Sequence, residues 1–343
     1  MSFLGNALIT KIKNMHANSL KEQDYLELLK KRSVVEITGY LKKHPAYADV
    51  LKNVSEVTMN RGRLEALIRR ESFNRLSRLI RFMHLKDRGF YQLNFLHREH
   101  EVILTMIRSF ISHEEYDAVA DLPYYFDHYS KIDFESLAMA NDMQSLVEAL
   151  QDTRYYKMLK PYAKVKNDDI KYYEFESLFE TDYYQFAFEQ INNNYRGKLK
   201  KDLEDTFKSR IEMENMIKVY RLKKFYKVKN EDIKAILIPS TRISEKKIDE
   251  ILLVNNPDEI FQKIIKTGMA TYTNDKDQVY LEYYADHLRY TIAKKYMYFA
   301  THPAKVFLAY MFLSELEIEN LTHLIEGIRY DVSEEEIRTM LVF

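Results

Sequence analysis

The sequence predicts an all-α protein made of three repeated helical lobes. Three observations lead there. Apolar residues recur at intervals of three and four through most of the chain. Turn formers are scarce, with 7 Gly and 6 Pro in 343 residues, whereas an all-β chain needs them at every hairpin. Two sequence blocks also recur three times in the same order, the mark of a repeat architecture.

The composition excludes several classes. Hydrophobic residues make up 46% of the chain, enough for a large core. There is no Cys, hence no disulfide framework, thiolate nucleophile or thiolate metal site. The 52 Lys+Arg balance 52 Asp+Glu, so no global charge draws the chain to nucleic acid or an acidic membrane. Apolar runs are short and interrupted by charge, and the first residues lack a basic start, an apolar stretch and a cleavage site. A cytoplasmic protein with no spanning segment is expected.

Along the chain, Leu64, Leu67, Ile68, Leu76, Leu79, Ile80 and Met83 form an apolar stripe. Arg63, Arg69, Arg70, Arg75, Arg78 and Arg81 fill the intervening positions, so an amphipathic helix with a basic outer face is expected. Val102, Met106, Ile107 and Phe110 make a second stripe, and Leu321, Leu324, Ile325 and Ile328 a third. Polar turns are expected at Asn192-Asn193-Asn194-Tyr195-Arg196-Gly197 and at Ile238-Pro239-Ser240-Thr241.

The first repeated block is a helix start. Ser33, Asn141 and Asn256 are capping residue types, and Glu36, Gln144 and Glu259 follow three positions later, the reciprocal pattern that satisfies free N–H groups. Pro257 sits where a first helical residue needs no N–H. Leu29, Leu137 and Leu252 precede the caps by four, and Tyr47, Tyr155 and Tyr272 follow them. The second block begins Glu99-His-Glu101, Glu212-Met-Glu214-Asn215 and Glu317-Ile-Glu319-Asn320. A fainter block between them reads Leu64-Glu65, Phe175-Glu176 and Leu281-Glu282. The period is about 110 residues, which divides the chain into units 1–115, 116–228 and 229–343. Such units either stack in an open superhelix or close about a pseudo-threefold axis around a central cavity.

Four passages resemble the C-type stalk component of the V-type (A-type) ATPases and ATP synthases, a family related to the d-type component of the eukaryotic V-ATPase. They are Asn6-Ala7, Tyr47-Ala-Asp-Val-Leu51, Asn60-Arg61-Gly62-Arg63-Leu64-Glu65, and Glu317-Ile-Glu-Asn320-Leu-Thr-His-Leu-Ile325-Glu-Gly327, the last followed by a helix capped by Ser333 with Glu336. The likeness spans the chain, although the opening is poorer in Arg than the family pattern and the middle unit matches weakly. It implies a three-lobed funnel with pseudo-threefold symmetry and no active site. It further implies a role on the cytoplasmic face of the membrane, linking the central shaft (the D and F proteins) to the membrane rotor ring (c/K) and transmitting torque in ATP-coupled proton or sodium transport.

Other chemistry finds little support. No G-x-x-x-x-G-K-[ST], G-x-G-x-x-G or G-x-S-x-G occurs. His97 and His100 share one side of a helix but lack further ligands, and helix-surface histidines are the plainer reading. No catalytic, cofactor-binding or metal-ligating residue is assigned. Residues 61–88 hold eight Arg and one Lys against Glu65, Glu71 and Asp87, while 315–338 hold seven Glu and one Asp against Arg329 and Arg338. Opposite local fields on a neutral chain suit a protein placed between different partners. Arg61, Arg63, Arg69 and Arg70 on the basic face, with Glu317 and Asn320 in the closing block, are the candidate partner-contact residues. The alternative is an open helical-repeat scaffold binding peptide or RNA through the Arg-rich helix 61–88. The 27 Tyr fall in pairs such as Tyr155-Tyr156 and Tyr183-Tyr184, and core-edge packing is expected of them.

Overall fold

The computed structural model describes residues 3–79, 88–112, 126, 130–239, 244–254, 256, 259–260 and 281–343. Among these every regular element is helical. In chain order the α-helices are α1 (Phe3–Ala17), α2 (Glu22–Leu29), α3 (Val34–Leu41), α4 (Ala48–Leu51), α5 (Arg61–Leu79), α6 (Arg88–Tyr91), α7 (Leu93–Ser112), α8 (Phe134–Ala138), α9 (Met143–Ala149) and α10 (Tyr155–Leu159). They continue with α11 (Tyr172–Asn194), α12 (Gly197–Arg221), α13 (Asn230–Ala235), α14 (Glu245–Leu252), α15 (Leu281–Phe299), α16 (Pro303–Arg329) and α17 (Glu334–Met340). The chain forms two compact units. One comprises Met1–Tyr91 with Gln190–Phe343, the other Gln92–Glu189.

The larger unit joins the two ends of the sequence. Leu28, Ile37, Leu41, Tyr47, Leu51, Leu64 and Ile68 form one core with Leu321, Leu324, Ile325 and Ile337. Fully burying each such aliphatic side chain stabilises by about 1.5–3 kcal/mol. Helix α16 is the centre of this unit. Its N-terminal half is apolar on every side, with Val306 through Phe312 all buried, as expected of a helix covered all round. His302 caps it by accepting from the Ala304 N–H at 3.2 Å, and Pro303 follows at the first position. Gly327 lies against α17, where an added Cβ would come 2.5 Å from Ile337 Cγ1. The smaller unit is built on α7, which buries Val102, Ile103, Met106, Ile107 and Phe110, the stripe read from the sequence. Leu137, Leu146, Leu150, Tyr155 and Phe179 complete its core.

The capping block is partly as expected. Ser33 and Ser333 accept from the Glu36 and Glu336 N–H groups, each at 3.2 Å. In the middle copy the cap lies one residue later. Asp142 accepts from the Ser145 N–H at 2.8 Å, and the Ser145 hydroxyl answers to the Asp142 N–H. An ionised Asp at that point outcompetes Asn141, and Gln144 turns instead to Glu148. In the third copy the Glu259 N–H reaches the Asn256 carbonyl at 3.0 Å, while Pro257 and Tyr272 lie outside the described residues. Leu29, Leu137 and Leu252 are all buried. Helix α11 runs through Asn194, so the turn before α12 is shorter than the polar run suggested, with Gly197 at φ +59°. Of the second polar turn, Ser240 and Thr241 lie outside the described residues.

The second correction concerns α5. Its basic outer face does not include Arg75, which is 7% exposed. Arg75 is drawn inward because Glu317 of α16 supplies a buried countercharge, 2.9 Å away. Ile80, Arg81 and Met83, read as the continuation of this helix, lie outside the described residues. His100 likewise leaves the surface. It is buried on α7 with Nε2 3.1 Å from Asp182, while His97 remains half-exposed beside Glu101.

Candidate functional site

The predicted contact residues fall into two settings. On α5, Arg63 and Arg70 lie two turns apart and exposed on one face. Arg69 is half-exposed on a neighbouring row. Arg61, at the helix start, is tied back to Glu65 at 2.7 Å and to Glu326 of α16. The tie orients the first turn of α5, whose exposed cations are Arg63, Arg70 and, near its C-terminal end, Arg78.

Glu317 and Asn320 are buried in the larger unit. Glu317 Oε1 accepts from the Tyr47 hydroxyl at 2.5 Å and from Arg75 at 2.9 Å, and its Oε2 accepts from the Leu20 N–H at 3.1 Å. Burial and the adjacent carboxylate push the Tyr47 phenol well above its ordinary range, so it stays protonated and donates. Asn320 donates to the Val342 carbonyl at 2.8 Å and accepts from the Val342 N–H at 2.9 Å. One amide thus replaces both missing backbone partners of an extended residue.

Both arrangements recur elsewhere. In the smaller unit Glu99 accepts from the Tyr155 hydroxyl and the Ser130 hydroxyl, each at 2.5 Å. Burial raises the Glu99 carboxyl, against the pull of these two donors. Asn215 brackets Ile238 as Asn320 brackets Val342, at 2.9 Å and 2.8 Å. The leading Glu of the second block therefore meets the Tyr of the first block twice. The block's Asn clamps a residue just beyond the following helix twice.

A cavity of about 360 Å³ opens within the larger unit between α12, α15 and α16. Two guanidiniums organise its charged wall. Arg289 bonds Asp286 at 2.6 Å, Glu315 at 3.3 Å, and Glu319. Arg210 bonds Glu214 at 2.8 Å and shares Glu315 at 3.3 Å. Burial pushes the Asp286 carboxyl up to about 6, with Arg289 opposing and Glu319 adding to the rise. Carboxylates outnumber guanidiniums here, so the field within favours a cationic group. Sequence reasoning missed this wall. Its signal was Arg289 between the apolar positions Leu288 and Ile292, and nothing local says which acids such an Arg will meet.

Among the described residues no group of three His, Cys, Asp or Glu side chains is placed to hold a metal ion. No described helix is long and apolar enough to cross a membrane. A family model described as ATP synthase (C/AC39) subunit matches residues 8–340 of the chain. No curated protein matches it.

Proposed function

Because the chain belongs to the ATP synthase (C/AC39) subunit family, we propose that it is the central-stalk adaptor of a rotary V/A-type ATPase. In this reading it is a socket that joins the central shaft, the D and F proteins, to the membrane rotor ring (c/K) and passes torque between them. It works from the cytoplasmic face as a peripheral, non-catalytic part. The nucleotide is bound and the ion moved by other members of the complex.

The observation that carries the reading is the family match from residue 8 to residue 340. The recurring ties support the mechanical part of it. An adaptor that transmits torque must resist shear, and buried Glu–Tyr hydrogen bonds and Asn–backbone clamps are directional restraints that apolar packing alone lacks. The proposed organisation is three repeats, 1–115, 116–228 and 229–343, closed about a pseudo-threefold axis as a funnel. Arg61, Arg63, Arg69 and Arg70 would present the basic face to an acidic partner surface. Glu317 and Asn320 would act from within by holding α16 in place.

The test is co-purification and coupling. Extraction of native membranes in mild detergent with a tagged copy of this chain should recover the shaft and ring proteins together. Deleting the gene should leave ATP hydrolysis that no longer drives ion transport. A deletion strain whose hydrolysis stays fully coupled to transport removes the proposal.

A further inference from the structure

We propose that the C-terminal tip of α12, where Phe225 and Tyr226 stand among lysines, is a lipid contact that seats this chain on an anionic bilayer surface. The helix does not end on an ordinary cap. Its ladder widens into a π turn over Leu222–Tyr226, closed by Lys227 in the left-handed region at φ +50°. Leu222 stays buried in the core, whereas Phe225 is 65% and Tyr226 60% exposed. The turn is pinned from one side. Lys223 Nζ donates to the Val254 carbonyl at 2.7 Å and to the Leu252 carbonyl. That brings Leu253, 73% exposed, beside the same turn. Three large side chains are thus exposed around one turn, with Phe225 also meeting the Tyr220 ring edge-on at 6.5 Å.

The charge around them is predominantly basic. Arg221, Lys223, Lys224, Lys227 and Lys229 stand against Glu231 and Asp232 at the start of α13 and Asp249 and Glu250 in the last turn of α14, of which Asp249 pairs with Lys234 at 2.7 Å. Lys224 Nζ lies 5.8 Å from the Phe225 ring centroid and 4.9 Å from that of Tyr220, whose hydroxyl accepts from it at 2.5 Å. The kind of cation selects the partner. Lysine is depleted in protein–protein interfaces, where arginine is enriched. Lysines beside exposed Phe and Tyr are the composition of a membrane interface. There the rings enter the headgroup region and the long stems keep the ammonium groups at the lipid phosphates. Attraction to an anionic leaflet falls off within a Debye length, so the exposed lysines must lie at the lipid surface beside the exposed rings to use it. This contact is independent of the adaptor reading, since it needs no other protein.

The experiment uses the full chain and protein-free vesicles, so its failure leaves the adaptor proposal standing, and failure of that proposal leaves this one. The chain is expected to sediment with vesicles containing about 30% phosphatidylserine at low salt, to ignore pure phosphatidylcholine, and to lose binding as salt is raised. Lys224→Glu with Lys227→Glu should weaken binding by roughly fivefold or more per lysine. Phe225→Ala with Tyr226→Ala should weaken it about tenfold or more, with Tm unchanged because both side chains are exposed. The chain has no Trp, so Phe225→Trp supplies a single reporter whose emission should shift to the blue on phosphatidylserine vesicles. The proposal is overturned by absence of phosphatidylserine-dependent binding in the wild-type chain. It is equally overturned by unchanged binding in both double variants, by an unshifted Trp, or by loss of binding on Arg63→Glu with Arg70→Glu instead. Retention on poly-glutamate without vesicle binding would identify an acidic protein as the partner and also overturn it.

Discussion

Tyr47 donates its hydroxyl to Oε1 of Glu317 at 2.5 Å, across 270 positions of sequence. The bond ties the first repeated block near the N-terminus to the second repeated block near the C-terminus. It also completes a buried charge cluster. Arg75 needs Glu317 as countercharge, and Glu317 needs Tyr47 and the Leu20 N–H to fill its remaining lone pairs.

Removing the acid should therefore hurt more than removing the phenol. Glu317→Ala leaves Arg75 buried without its countercharge and is expected to destabilise by about 3–5 kcal/mol. Tyr47→Phe deletes one donor to a carboxylate and should lose about 1.5–3 kcal/mol. Urea denaturation of the two variants measures the order. Equal losses would mean that the ion pair is dispensable.

Tyr155→Phe removes the corresponding donor to Glu99 in the smaller unit. Combined with Tyr47→Phe, its effect should add to within about 0.5 kcal/mol, because the two ties share no partner. A larger departure in the double variant would show that the ties are coupled.

Asn320→Ala takes from Val342 the partner of both its N–H and its carbonyl. A destabilisation of about 1–3 kcal/mol is expected. The amide of Val342 should lose its hydrogen-exchange protection, and Ile238 should do the same in Asn215→Ala. Protection that survives either change would refute the clamp.

Gly327 is required by the close approach of α17. Gly327→Ala places a Cβ within 2.5 Å of Ile337 Cγ1, and overpacking of this kind costs about 1–3 kcal/mol. In an Ile337→Ala background, which lacks both Cγ1 and Cδ1, Gly327→Ala should lose much less in thermal unfolding, which separates steric conflict from lost helix geometry.

The Asp286 carboxyl sets a pH dependence with a definite sign. Its folded pKa, about 6, lies above the ordinary 3.8 because burial disfavours the charged form. The folded chain thus holds a proton that the unfolded chain releases. Stability from this group rises as pH falls through 6 toward 3.8, and the penalty for ionisation is complete above 6. The difference in unfolding free energy between wild type and Asp286→Asn isolates this group from Glu71 and Glu99, whose carboxyls burial also raises. A difference that does not vary between about pH 4 and 7 would place the Asp286 shift in doubt.

Much of the architecture was legible without coordinates because it depends on residues within one or two helical turns of each other. The period of three and four marked the buried stripes of α7 and α16, since a helix brings those positions onto one face wherever it packs. Ser33 and Ser333 announced their helices because a cap is satisfied by an N–H three residues on. The recurrence of the two blocks was visible as well, because it is a matter of residue type and spacing alone. What tertiary structure alone decided is how each polar residue in that pattern is spent. Arg75 occupies the same kind of position as Arg70, yet one is buried and the other exposed, and the difference is a carboxylate 242 positions away. The Glu and Tyr of the two repeated blocks could be seen to recur, but not to meet. A local sequence specifies the shape of its own helix. The free energy of burying a charge is set by whichever group the rest of the chain places opposite it, and that placement exists only once the chain has folded.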